Sequence, residues 1–417
     1  MTQVPLNYSS KDDGKTVVLA MIKAPANTTS SAHGGPVFIN PGGPGASGVE
    51  FMQIAGEFLH TIIGKQFDIV SFDLRGVSFS SPKVSIFNST DEASNFASSE
   101  IYDLNSTSTA MSEEWERYQL LGKLAVERDV DGFLSHVLTD NVARDMLQML
   151  EAMGQQKLQY WGFSYGTVLG AVFVTMFPDR VDHLVVDGIV DMDGYFANDA
   201  KDQIADADKV MQIFFDECFV AGPQSCAFHS LSPAEISTNL NALYEKVRAN
   251  PVQVPTGNTS ILVTYDLLRQ VVFSTLSSPL AFPQLALALQ ELSQGNGTAV
   301  AAQFVAASAE TLKILEPYLA VGCGDAVPQN ASPLELMAYM NTINSTFASL
   351  GIASMARCIG WKVHPESRFK GVRQSSCLHA GLCCGTHTQL EGPVGGNTKF
   401  PLLVIGNTAD PVTPLAA

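Results

Sequence analysis

The sequence predicts an α/β protein: a mostly parallel sheet with flanking helices, covered by an inserted, mainly helical cap. Three observations predict it. A strand, glycine-turn, helix, strand alternation begins at Gly35, and a second strand-turn-helix unit surrounds Ser164. A long stretch from Met192 to Gly360 has helical periodicity without that rhythm. The chain has 417 residues, 46% of them hydrophobic, which suffices for one large core and a smaller module. We therefore expect residues 1–191 to form the first part of the core, 192–360 the cap and 361–417 the return to the sheet.

Taken in order, VPLNYS and KTVVLAMIKAPA read as strands already inside a sheet. PVFIN is the next strand, followed by the turn PGGPGASG, an apolar stretch to Leu59, and the strand FDIVSFD. From about Pro82 to Ser135 the chain is rich in Ser, Thr and Asp with weak periodicity, and reads as an excursion. VARDMLQMLEAMG then places Val142, Met146, Met149 and Leu150 on one helical face. Strand LQYWGF, the turn at Ser164, an apolar helix ending near Pro178 and strand VDHLVVDGI follow, and PLLVIGN rejoins the sheet.

Charge excludes one class of partner. With 24 basic against 41 acidic residues, a net charge of −17 repels polyanions and leaves no basic stripe for nucleic acid. No stretch approaches the roughly 18 continuous apolar residues of a membrane span, so none is expected. N-x-S/T sequons start at Asn7, Asn27, Asn88, Asn105, Asn258, Asn296, Asn330 and Asn344. Chance would supply on the order of two or three, so the excess points to a secreted glycoprotein. Met1 is followed by polar residues, and a signal peptide is expected upstream of it.

The chemistry centres on Gly162-Phe163-Ser164-Tyr165-Gly166, a G-x-S-x-G turn between an apolar strand and an apolar helix. The glycines permit the strained turn that exposes a serine hydroxyl at a helix N-terminus, where developing negative charge is favoured. A serine nucleophile needs a base for its proton and preorganised N–H donors for the oxyanion. The donors expected are the amides of Tyr165 and of Gly43, in the glycine turn after the earlier strand. That turn lacks the Lys-Ser/Thr of a phosphate-binding loop and the G-x-G-x-x-G spacing, so no nucleotide cofactor is expected. Asp410, in VIGNTADPVTP, occupies the place of the acid that orients the base; Asp187 is the other candidate and reads as structural. The base should follow the acid, yet all eight histidines precede Asp410. The final strand and the catalytic histidine are therefore expected beyond residue 417, and the chain as written is expected to be nearly inactive.

These motifs resemble the secreted tripeptidyl-aminopeptidase-like branch of the prolyl-iminopeptidase peptidases, within the α/β-hydrolase fold. The resemblance runs nearly end to end. It rests on NPGGPGASG in place of HGGPG, on FDLRGVSFSSP, WGFSYGTVLG, VVDGIVD and IGNTADPVTPL. Leu74 and Ser78 depart from the family's proline and glycine. The resemblance implies removal of short peptides from free N-termini, with cap carboxylates holding the substrate ammonium; Asp191, Asp193 and Asp325 are candidates. It also implies disulfides Cys218–Cys226 and Cys323–Cys358, which suit an oxidising compartment. The alternatives are an esterase or lipase-like hydrolase, and a catalytically dead fragment or pseudoenzyme.

Cys377, Cys383 and Cys384 crowd together near His379 and His387, in spacings that fit no regular zinc site, so no metal is expected. The block from Val372 to Gln389 interrupts the family's course from RFKG to LEGPVGGNTKF, and reads as a retained intron, with a genuine surface loop as the alternative.

Overall fold

A computed structural model describes residues 1–10, 14–28, 32–129, 131–257, 259–365, 368–370 and 395–415. The block at 372–389, with its cysteines and histidines, lies outside the described residues. The chain opens with β1 (Thr2–Pro5), β2 (Thr16–Leu19), β3 (Met21–Ala24), β4 (Pro36–Asn40), α1 (Gly48–Ile63) and β5 (Asp68–Phe72). Next come α2 (Thr90–Ser98), α3 (Ala110–Arg128), α4 (Thr139–Ala152), β6 (Leu158–Phe163), α5 (Tyr165–Met176) and β7 (Val181–Asp187). The inserted stretch holds α6 (Met192–Ala197), α7 (Ala207–Ala221), α8 (Pro233–Ala249), β8 (Val252–Thr256), β9 (Thr259–Val263) and α9 (Tyr265–Thr275). It continues through α10 (Phe282–Ser293), α11 (Thr298–Asp325), α12 (Pro333–Met340) and α13 (Ala348–Ala356), before β10 (Leu403–Ile405).

Six strands form one sheet in the order β10-β7-β6-β4-β5-β3, parallel throughout except where β3 runs against β5. β4 and β5 are buried at every residue, as continuous apolar runs covered on both faces require. β1 and β2 stand apart as an antiparallel pair instead of entering this sheet. The fully buried Arg75 fastens them: its guanidinium meets both carboxylate oxygens of Asp145 on α4 and the carbonyls of Pro5 and Leu6. On α4 the expected face of Val142, Met146, Met149 and Leu150 is buried.

The excursion from Pro82 to Ser135 contains more structure than its composition suggests. α3 runs 19 residues and buries Met111, Tyr118, Leu121 and Ala125. Its Gly122 lies where a Cβ would overlap the Gly360 carbonyl, so glycine lets helix and loop touch. The inserted stretch has its own apolar cluster, built on Phe214, Leu240, Leu268 and Leu289, and a β8–β9 hairpin among its helices. The C-terminal half of α11 instead joins the sheet's cluster through Leu315, Leu319, Ala320 and Val321. That helix carries the insertion onto the carboxyl edge of the sheet.

Candidate active site

β6 ends at Phe163 and α5 begins at Tyr165, so the chain must change course within one residue. Ser164 does so at φ 52°, ψ −121°, a sparsely populated conformation for any residue with a side chain. Its amide donates to the Asp187 carbonyl at 3.1 Å, and its carbonyl accepts from the Thr167 amide at 2.8 Å and hydroxyl at 2.7 Å. A Cβ on Gly162 would overlap the Gly166 carbonyl, and one on Gly166 would lie 2.8 Å from the Asn40 carbonyl. Backbone crowding thus demands glycine on both sides of Ser164.

The turn after β4 packs directly on this elbow. Gly42 has φ 101°, and a Cβ there would lie 2.6 Å from the Phe163 carbonyl and 2.9 Å from Ser164 Cβ. Its amide donates to Asn40 Oδ1 at 2.9 Å. The next amide, of Gly43, and that of Tyr165 meet no acceptor among the described residues. Gly43, Ser164 and Tyr165 line one cleft. Two N–H groups without an acceptor among the described residues, beside a serine at a helix N-terminus, are chemically able to serve as an oxyanion's donor pair.

Asp410 follows β10 on the same edge. One carboxylate oxygen accepts the amides of Val412 at 3.0 Å and Thr413 at 2.9 Å; the other accepts Asn407 Nδ2 at 3.1 Å. Burial alone would raise its pKa, but these donors outweigh it and hold the carboxyl below the usual range. Val412 and Thr413 line the cleft with Ser164, and a Cβ on Gly188 would lie 3.2 Å from Thr413 Oγ1 and 3.9 Å from the Ser164 amide. Asp187 is tied to its own strand end, its carboxylate accepting Trp161 Nε1 at 3.3 Å. Among the described residues no histidine lines the cleft.

The profile of the α/β hydrolase fold matches residues 35–417. The chain belongs to the α/β hydrolase fold family. It is similar to serine protease Hip1 of Mycobacterium tuberculosis, 37% identical over 188 residues that cover 45% of this chain and 35% of that one. Tripeptidyl aminopeptidase of Streptomyces coelicolor is 34% identical over 193 residues, covering 45% and 34%. Carboxylesterase B of Mycobacterium tuberculosis is 33% identical over 189 residues, covering 45% and 35%. The chain thus spans about a third of the length of the curated relatives it matches.

The cap of this α/β hydrolase distributes its carboxylates differently from the expectation. Asp191 is the N-cap of α6, accepting the amides of Asp193 at 3.1 Å and Gly194 at 2.8 Å. Asp325 is 2% exposed and lies beneath the cleft, bonded to Thr139 and Tyr195. Neither lines the cleft, because one is engaged in capping and the other is enclosed. The carboxylate that does line it is Asp199, which accepts the Tyr339 hydroxyl from α12 at 2.7 and 2.8 Å. No sequence motif marks Asp199; it earns attention only through the fold.

Both disulfides that the resemblance implied are closed in this α/β hydrolase, Cys218–Cys226 within the cap and Cys323–Cys358 from the end of α11 to the segment after α13. Cys358 reaches the cleft wall. Among the described residues no three His, Cys, Asp or Glu side chains are grouped to hold a metal, and no helix is long and apolar enough to cross a membrane.

Proposed function

We propose that this α/β hydrolase is a serine exopeptidase that releases short peptides from free N-termini, forming its acyl-enzyme on Ser164. The observation that carries this reading is Asp199, a cap carboxylate in the same cleft as the nucleophile and the oxyanion donors. A peptide's terminal ammonium bound there would be fixed relative to the scissile carbonyl, and the cap would limit how much chain fits between. Ser164 Oγ attacks that carbonyl, whose oxygen becomes an oxyanion at the Gly43 and Tyr165 amides. The serine proton passes to an imidazole oriented by Asp410 and then to the leaving amine; water reverses the sequence.

The described residues supply serine, donors and acid without that imidazole. The reading is tested with tripeptide arylamides carrying free or acetylated N-termini. Cleavage should depend on Ser164 and favour the free amine. Asp199→Asn should raise KM for the free amine by about 10- to 100-fold, the worth of a hydrogen-bonded charge, with little change for the acetylated compound. Equal handling of both compounds by wild type would refute the exopeptidase reading.

An esterase is the second reading, favoured by the similarity to carboxylesterase B and by apolar Val190, Met355 and Val412 in the cleft. A preference for acyl esters over arylamides far beyond their intrinsic reactivity would select it. We also propose secretion and glycosylation. Sequon residues Asn27, Asn88, Asn105, Asn296, Asn330 and Asn344 are exposed, and the two closed disulfides suit an oxidising compartment. A mass loss on enzymatic deglycosylation of the secreted protein would check this.

A further inference from the structure

Beneath the cleft a buried carboxylate connects three elements. Asp325, the last residue of α11, accepts the Thr139 amide at 3.0 Å on one oxygen, capping the first turn of α4. Its other oxygen accepts the Thr139 hydroxyl at 2.5 Å and the Tyr195 hydroxyl at 2.9 Å. Thr139 Oγ1 is 2.6 Å from the Tyr165 hydroxyl. A threonine hydroxyl has one proton, which the carboxylate takes when ionised, so Tyr165 must donate to Thr139. The direction of the whole chain, Tyr165 to Thr139 to Asp325, is thereby set by the charge. At its near end stands the residue whose amide is the elbow's oxyanion donor, and Tyr195 is a wall of the cleft.

We propose that Asp325 is a positioning residue: through Thr139 it holds the Tyr165 side chain, and with it the elbow amide, while directly fixing the Tyr195 ring as a cleft wall. The catalytic half of this proposal rests on Ser164 acting as the nucleophile. Such a role explains a carboxylate enclosed where an apolar residue would serve packing alone, since burying an anion is tolerated only when donors surround it. Burial pushes its pKa up to about 7, against the opposing hydrogen bonds from Thr139 and Tyr195, and the nearby Asp140 carboxylate adds to the rise. The groups facing it are Thr139 and Asp140 of α4, Tyr165 of α5 and Tyr195 of α6; Arg144 pairs with Asp140 at 2.6 Å, and the His364 ring lies beside the Gly324 and Ala326 carbonyls. Protonation near neutral pH would remove one acceptor and release the order of the chain.

The test places 3-fluorotyrosine at position 165 or 195 and follows each fluorine resonance from pH 5 to 9 in the whole chain. Both should titrate with a midpoint near 7, and Asp325→Asn should abolish both transitions. Thr139→Val should silence the one at 165 and leave that at 195, a selectivity that loss of packing would not give. In parallel, p-nitrophenyl ester hydrolysis should show kcat lowered about 10- to 100-fold by Asp325→Asn and by Thr139→Val, KM within about twofold, and recovery in Thr139→Ser, below the cost of deleting an oxyanion donor outright. Resonances indifferent to Asp325→Asn, or an unchanged kcat in a folded Asn variant, would overturn the proposal. Ser164→Ala hydrolysing the ester as fast as wild type would instead refute the serine-hydrolase reading and the catalytic half with it. The fluorine shifts would still decide whether Asp325 holds the two phenols.

Discussion

The two sides of the cleft are built by opposite means. On one side, Ser164 and the Gly42–Gly43 turn sit at the ends of β6 and β4, in the middle of the sheet, where every residue of β4 is buried and backbone atoms of neighbouring turns touch. On the other, Asp410 follows β10, a three-residue strand at the edge of the sheet among the described residues, whose Leu403 and Val404 are 56% and 51% exposed. Its carboxylate is aimed by amides and one side chain from its own loop. Global packing positions Ser164, whereas local hydrogen bonds position Asp410. Damage on the first side should therefore cost stability as well as chemistry, and damage on the second chemistry more than stability.

Gly42→Ala should have the largest effect. Its Cβ must displace either the Phe163 carbonyl or Ser164 itself, so acylation should fall by about 100-fold or more, as when an oxyanion donor is lost, with a lower melting temperature. A Gly42→Ala enzyme with near-normal kcat would show that the turn does not define the donor geometry. Ile39→Ala, in the fully buried β4, should cost about 2–5 kcal/mol in urea unfolding. Leu403→Ala on the open edge should cost under about 1 kcal/mol, and parity between the two would erase the contrast.

The two buried or half-buried acids should also respond to pH with opposite signs. The Asp410 carboxyl is depressed in the folded state, so its contribution is present above the ordinary aspartate range and is lost as pH falls through its folded value. Asp325 is raised, so its protonated form is the favoured one: stability is highest below about pH 4 and declines as pH climbs through about 7. Melting curves should accordingly lose some of their decline between pH 4 and 8 in Asp325→Asn, and some of their acid sensitivity in Asp410→Asn. The smallest expected effect is on the stability of Asp410→Asn, which at pH 7 should lose only the contribution of its depressed carboxyl while hydrolysis suffers more.

Much of this arrangement was legible along the chain. The parallel sheet showed in the alternation around Gly35 and Ser164 because buried strands and glycine turns leave a short-range signature. The buried face of α4 was visible for the same reason. α3 was hidden because Ser, Thr and Asp dominate its approaches and because Glu114 and Gly122 interrupt its buried face. The end of β1 is held by Arg75, itself paired with Asp145, 70 residues apart in sequence, a pairing that no local pattern announces.

By itself, the sequence determined the fold class, the turn at Ser164 and the glycine turn opposite it, since each is a local demand on backbone conformation. The tertiary structure alone decided which carboxylates meet the cleft. Asp191, Asp199 and Asp325 are indistinguishable as letters, and differ because Asp191 caps a helix, Asp325 is enclosed with Thr139 and Tyr195, and Asp199 lines the cleft that also holds Ser164. A side chain's electrostatic role follows from its solvation and its partners, and those are supplied by residues distant in sequence.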